Sequence, residues 1–514
     1  MVAALAVALS IAAFSFYYSR GVTNVYGDGI AHLNIARKIV DSPDSSLWQR
    51  YIQIGTPWLP LQTVLTAPLV INDRLWRTGM AGSLVSMFSF VIAAVALFKI
   101  AGRLYRDEPE KVRRAIPLIA ALTFVLNPAA LYMQSTPLTE LSFIASVSIA
   151  VYLLQKWGAK QTPGRLLAAG IATAISTLSR YEAWPVAVCA VALVALVANG
   201  GVLTRFKKAA AFLAVAATGP CYWLWHNWAV YNDACAFISG PHSARGLYLL
   251  NAANLGWSRI FVEHALPSMG LMLLTAAVCV GPVILVVGLI GAVRVLVVKR
   301  LLIRENAFVF LLAVPFLFHV FSVYRGEIQV FPLSAFGLLN VRYGLLHLPA
   351  AAVFAPALIP MFRRFGSAAA VSAMLFLIAT QYLLIVSDGP LQIAVCQEGY
   401  RNGVNSRPAR ERRAAASYLR DHPPVSNLFL HSGSLGPVVS GGGLVYSRII
   451  HEGTARWHLI DRTMPADVSM IIIEKGDPLE QRIRDNADLA GDIARHFETR
   501  YSSASITILE RAPD

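Results

Sequence analysis

Charge is scarce in this chain. Of 514 residues only 14% are Asp, Glu, Lys or Arg, and the acids, 29, are fewer than the bases, 44. A composition that is 56% hydrophobic with so little charge excludes a single soluble domain and points to a polytopic membrane protein. Cysteine is scarce as well. The five cysteines form no CxxC or Cys/His pattern, which excludes a zinc site or a disulfide framework as the organising device. Cys189, Cys221 and Cys279 lie in apolar runs and read as packing residues. Cys235 and Cys396 are the pair a bridge would join if both face an oxidising compartment. The formal net charge of +15 would suggest nucleic acid in a soluble protein. Here the basic residues are expected to collect in cytoplasmic loops, and no nucleic-acid partner is expected.

Long apolar runs are what the chain has instead. A span needs about 20 apolar residues. Stretches near 2–18, 81–101, 116–134, 138–154, 166–179, 184–203, 209–228, 269–293, 306–324, 343–361 and 367–387 qualify, which predicts an all-α membrane domain of about eleven helices. The first run lacks a basic leader and a clean small-residue cleavage site, so it reads as a retained span. Loops such as "KIAGRLYRDEPEKVRR", "QKWGAKQTPGR", "TRFKK", "RVLVVKRLLIR" and "MFRRF" are basic and alternate with basic-poor loops. That bias puts the basic set and the N-terminus in the cytoplasm of a bacterial-type plasma membrane, with Arg20 as the one dissenting charge.

Two further regions follow from this sidedness. Residues 19–80 form a long first outer loop. In it "DGIAHLNIARKIV" has the pattern of an interfacial helix, and "GTPWLPLQTVLTAPLV", broken by prolines, reads as re-entrant or surface-lying. After 387 the composition turns polar. "VSNLFLHSG", "LVYSRII", "VSMIIIEKG" and "SASITILER" read as strands, with helices at "RPARERRAAASYLRDH" and "DPLEQRIRDNADLAGDIARHF". The expected division is therefore a membrane domain over 1–387, carrying the loop helices, and a small extracytoplasmic α/β domain over 388–514.

Several charged residues gather at the outer face. Asp28 suits an N-cap at the start of its helix, and equally a general base; the two roles are compatible. His32 shares its helix face one turn on. In "QSTPLTE", Thr136 and Pro137 suit a helix start, which puts Glu140 in a first turn where the dipole favours a negative charge; an acid so close to the membrane core is also a functional candidate. In "LSRYEAWP", Arg180 and Glu182 pair with each other, or Arg180 holds a phosphate while Tyr181 and Trp184 line a sugar pocket. Arg342-Tyr343 opens a late span, where the arginine snorkels or holds a lipid phosphate. An acid, arginines and aromatic residues beside apolar grooves suit a substrate with an oily tail, an anionic phosphate and a polar head.

The sequence segments "DGIAHLNIARKI", "IGTPWLPLQTVLTAPL", "NPAALYMQSTPLTE" and "LSRYEAWP", in this order, resemble the C-type glycosyltransferases, in particular protein O-mannosyltransferase-like proteins and lipid A aminoarabinose transferases. The resemblance covers mainly residues 26–185. It implies an inverting glycosyltransferase that moves a sugar from a polyprenyl-phosphate donor to an acceptor hydroxyl at the non-cytoplasmic face. The acceptor class, whether protein, lipid or glycan, stays open. The resemblance makes Asp28 the catalytic base, with His32, Glu140, Arg180, Tyr181, Glu182, Arg342 and Tyr343 at the substrate, in contact with membrane lipids. The chain departs from the family pattern in having Gly29 where many members place a second acid. No metal ligand is assigned and no cofactor is implied, although a divalent metal requirement stays open. The oligosaccharyltransferase signature Trp-Trp-Asp-Tyr-Gly is absent. A secondary transporter, which would show matching halves and broken helices, and a non-catalytic envelope-assembly scaffold are the competing classes.

Overall fold

The computed structural model describes residues 1–44, 46–240, 243–251, 259–298, 305–334 and 337–513. The chain forms two compact units. A helical unit comprises Met1–Thr23, Thr56–Gln62 and Ser83–Glu398, and a sheet unit comprises Asn24–Gly55, Thr63–Gly82 and Gly399–Asp514.

Helices occupy each stretch expected as a span in the helical unit, but not all are single spans. Among the described residues five helices are long and apolar enough to cross a membrane: Met80–Leu104, Glu140–Ala159, Asn306–Tyr324, Val341–Phe362 and Ser367–Ile385. Val2–Tyr18 and Ala183–Val197 are apolar but shorter. The stretches expected as spans are thus a mixture of long, short and broken helices among the described residues. The stretch expected as one span over 269–293 is two helices, Ala265–Val280 and Pro282–Val297, bent by 113° at Gly281. Gly281 holds φ +96°, a conformation that suits glycine. The backbone groups freed by the break find buried partners: Asn127 Nδ2 donates to the Cys279 carbonyl at 2.9 Å, and Val283 N donates to Gln381 Oε1 at 3.0 Å. Small residues bring helices close elsewhere. A Cβ on Gly291 would overlap the Phe354 carbonyl, and one on Gly344 the Thr275 carbonyl. Cys235 is exposed and Cys396 buried, and both are free thiols.

The sheet unit carries five strands: β1 (Asn427–Leu430), β2 (Ile449–Ile450), β3 (Val468–Glu474), β4 (Phe497–Ser502) and β5 (Ile506–Arg511). Their order is β2-β1-β3-β5-β4. β1 is parallel to β2 and β3, while β5 is antiparallel to β3 and β4. Alternation sorts the side chains to two faces. Phe429, Ile471, Leu479, Leu489 and Ile493 pack on one face. Leu428, Leu430, Ile472, Ile506 and Ile508 pack on the other with Ala415, Leu419 and Val438.

That second core also takes Leu33, Ala36, Val70 and Trp76 from the first outer loop. The loop helices, expected with the spans, thus belong to the compact unit built around the C-terminal sheet. Buried apolar area drives this grouping, and polar contacts fix it. Arg37 donates to the carbonyls of Val70 at 2.7 Å and Ile71 at 3.1 Å and pairs with Asp73 at 2.7 Å, instead of snorkelling to lipid. The long helix expected after Asp477 is split at Asn486. Asp477 caps Pro478–Asp485, and Asn486 caps Ala487–His496.

Candidate functional site: a buried ion network in the helical unit

Three segments of the helical unit carry charge into its interior. The first is the start of the helix Glu140–Ala159. It begins at Glu140 itself, three residues after the expected Pro137 start, and Glu140 is 1% exposed. Thr136 is no cap, since its hydroxyl donates to the Met133 carbonyl at 2.7 Å.

The second is the turn between Pro163–Thr177 and Ala183–Val197. Ala183 N and Trp184 N donate to the carbonyls of Arg180 and Tyr181. This tight turn points Arg180 and Glu182 the same way. Arg180 Nε and Nη2 donate to Glu182 Oε1 at 3.0 and 2.8 Å, so the expected mutual pairing is present. Arg180 Nη1 donates to Thr139 Oγ1 at 2.9 Å and to Glu140 Oε1 at 3.2 Å. Tyr181 and Trp184 are engaged within the protein. Tyr181 stacks on Phe237 at 5.2 Å, donates to the Pro57 carbonyl at 3.3 Å and accepts from Trp223 Nε1 at 2.9 Å. Trp184 Nε1 donates to the Thr177 carbonyl at 3.0 Å.

The third is the turn at Asn340, a residue with φ +53°. Glu398 holds it: its two oxygens accept from Asn340 N at 2.7 Å and Val341 N at 3.0 Å, at the positive end of the helical turn Val341–His347. Arg342 then lies with Nε 3.1 Å from Glu140 Oε1 and Nη1 3.5 Å from Glu398 Oε1. The Tyr343 ring centre is 5.0 Å from the Arg180 guanidinium carbon and 5.6 Å from that of Arg342.

The result is a continuous chain of ionisable groups: Glu398, Arg342, Glu140, Arg180, Glu182, then His319, whose Nε2 is 3.0 Å from Glu182 Oε1, and His347, whose Nε2 is 3.4 Å from His319 Nδ1. Two guanidiniums face three carboxylates. One oxygen of Glu140 serves both arginines, while its other oxygen, Oε2, is buried with no hydrogen-bond partner.

The structure brings together five of the residues singled out from sequence: Glu140, Arg180, Glu182, Arg342 and Tyr343. Asp28 and His32 belong to the sheet unit. Asp28 lies in the first turn of the helix Gly27–Val40 and is not its cap; Tyr26 holds that position, with no side-chain capping bond. Its charge still favours the helix N-terminus. Glu398, His319 and His347 were missed. His319 had a signal, an ionisable residue deep in the apolar run "VPFLFHVFSV". Glu398 had none, because its role depends on contacts distant in sequence. Arg325 and Glu327 pair with each other at 3.8 Å. Among the described residues no group of three or more His, Cys, Asp or Glu could hold a metal ion.

The chain resembles solved membrane glycosyltransferases. The crystal structure of ArnT from Cupriavidus metallidurans bound to undecaprenyl phosphate matches at TM-score 0.50 and 13% identity, covering 99% of this chain and 99% of that one. The apo state of the same protein matches at 0.48, with 13% identity and 99% coverage of both chains. The Archaeoglobus fulgidus oligosaccharyltransferase in complex with Zn and sulfate matches at 0.49 and 11% identity, over 99% of this chain and 73% of that one. No family model and no curated protein matches the sequence. At this identity the ArnT likeness shows a shared fold.

Proposed function

We propose, with the C-type glycosyltransferase fold as the premise, that this chain is a membrane glycosyltransferase moving a sugar from a polyprenyl-phosphate donor to an acceptor hydroxyl at the non-cytoplasmic face. The observation that carries the reading is the coincidence of that fold, over 99% of both chains, with two guanidiniums, Arg342 buried and Arg180 largely so, converging on one carboxylate oxygen. An arginine pair of this kind suits a phosphate. The donor class follows the ArnT structure, which holds undecaprenyl phosphate.

The reaction is a single displacement at the anomeric carbon. Asp28 accepts the proton of the acceptor hydroxyl, whose oxygen forms the new bond to the anomeric carbon. The bond from that carbon to the phosphate oxygen breaks with inversion, and its electron pair leaves with the phosphate. The phosphate is already ionised and needs no general acid. Arg180 and Arg342 balance the charge it gains. Glu182 and Glu398 set the directions of the two guanidiniums, and Tyr343 lies against both. His32, one turn from Asp28, orients the acceptor, and Tyr181 borders the sugar.

Asp28→Asn is expected to lower sugar transfer about 100-fold or more while the protein still binds the donor lipid. The assay is mass spectrometry of polyprenyl phosphate released from nanodiscs. Near-normal turnover would remove Asp28 from the mechanism. The break at Gly281 is the one feature that favours a transporter, since transporters use discontinuous helices. Its free backbone groups are taken by Asn127 and Gln381, which weighs against a substrate there. Uptake of labelled sugar into sealed vesicles, without release of lipid phosphate, would favour the transporter.

A further inference from the structure

We propose that Glu140 is a resident counter-anion: it occupies the seat of a phosphate between Arg180 and Arg342 and gives up that seat when a lipid-linked phosphate binds. The inference rests on the donor class proposed above and concerns what the arginines do before the donor arrives.

Four observations support it. First, both guanidiniums converge on one Glu140 oxygen, at 3.2 Å from Arg180 and 3.1 Å from Arg342. A phosphate oxygen placed there would meet the same two cations. Second, each arginine has another carboxylate that is anchored independently. Glu182 is bonded to His319, and Glu398 to two backbone N–H groups. Glu140 has no such anchor, and its second oxygen is buried without a partner. Third, three carboxylates share two guanidiniums, and both cations that Glu140 touches are already paired with another carboxylate. A buried carboxylate with only shared partners is a poor stabilising device. Fourth, Arg180 is the most open member, with a side chain 14% exposed against 7% for Arg342 and 1% for Glu140. Of its five N–H donors four are used, by Glu182, Thr139 and Glu140. The phosphate therefore approaches on the Arg180 side.

The test uses the full-length protein in nanodiscs and calorimetric titration with farnesyl phosphate. Glu140→Gln is expected to bind about tenfold tighter than wild type, because a like charge has left the seat. Equal or weaker binding by a folded Glu140→Gln protein would overturn the proposal. If that variant does not fold, Glu140→Asp, whose shorter side chain fills the seat less well, is expected to bind tighter than wild type, and binding no tighter would overturn the proposal. Tightening confined to farnesyl phosphate identifies a prenyl-linked source, and equal tightening for inorganic phosphate identifies the bare anion. Displacement of farnesyl phosphate by phosphatidylglycerol in both proteins alike overturns the assignment. Sugar transfer is measured in parallel. Transfer with no Glu140 effect defeats this inference alone, whereas a Glu140 effect with no transfer defeats the proposed function alone.

Discussion

Arg37, Arg180 and Arg342 are three arginines in an oily chain with two kinds of surroundings. Arg37 closes a loop onto the carbonyls of Val70 and Ile71, which makes it part of the framework. Arg180 and Arg342 meet at Glu140 and at the Tyr343 ring. Sequence reading could single out Arg180, Glu182 and Glu140, because an ionisable residue at the edge of an apolar run is unusual. It could not separate a buried structural arginine from one that snorkels, since that depends on carbonyls tens of residues away. A residue of the sheet unit gives a prediction at this scale. Burial, with the Lys38 charge nearby, pushes His451 down to about 3 from its ordinary value near 6.5. The unfolded chain therefore binds the proton at a higher pH than the folded one. The neutral buried histidine contributes its full stability above about pH 6.5, and that stability falls as pH drops towards 3, by up to about 1.4 kcal/mol per pH unit. Hydrogen exchange of β1 and β2, corrected for intrinsic rates, is expected to speed up between pH 6.5 and 4 in wild type. The slope should flatten in His451→Gln, and an unchanged slope would show that His451 is not the group responsible.

Helices and strands were legible where the apolar period was clean. β1, β3 and β5 lie within the stretches read as strands, whereas "LVYSRII" forms only the two-residue β2 after a helical turn at Tyr446–Arg448. β4, "FETRYS", was missed: the expected helix took in Phe497 and left the rest unassigned, because four of its six residues face solvent and its pattern is polar. The break at Gly281 was hidden for a related reason. Its flanks are uniformly apolar, and the partners that make a break tolerable, Asn127 and Gln381, lie far off in sequence. A prediction belongs to this element. Gly281→Ala forces a side chain into φ +96° and into contact with Gln381. The expected loss is about 1–3 kcal/mol, read as a lower melting temperature of the purified protein. A melting temperature equal to that of wild type would mean that the two half-helices adjust without strain.

At the scale of the whole molecule, hydropathy separated an oily portion from a polar one but misassigned the first outer loop. Leu33, Ala36, Val70 and Trp76 look like membrane-seeking residues in a linear scan, yet they fill one face of the C-terminal core. The candidate base, Asp28, is therefore carried by a helix of the sheet unit, and the arginines by the helical unit. The most direct test is the stoichiometry of the full-length protein in nanodiscs, supplied with polyprenyl-phosphate-linked sugars and a cell-envelope extract as acceptor pool. The account predicts one polyprenyl phosphate released for each sugar transferred, with neither product formed by Asp28→Asn. Sugar crossing sealed vesicles with the lipid-linked donor left intact would contradict it.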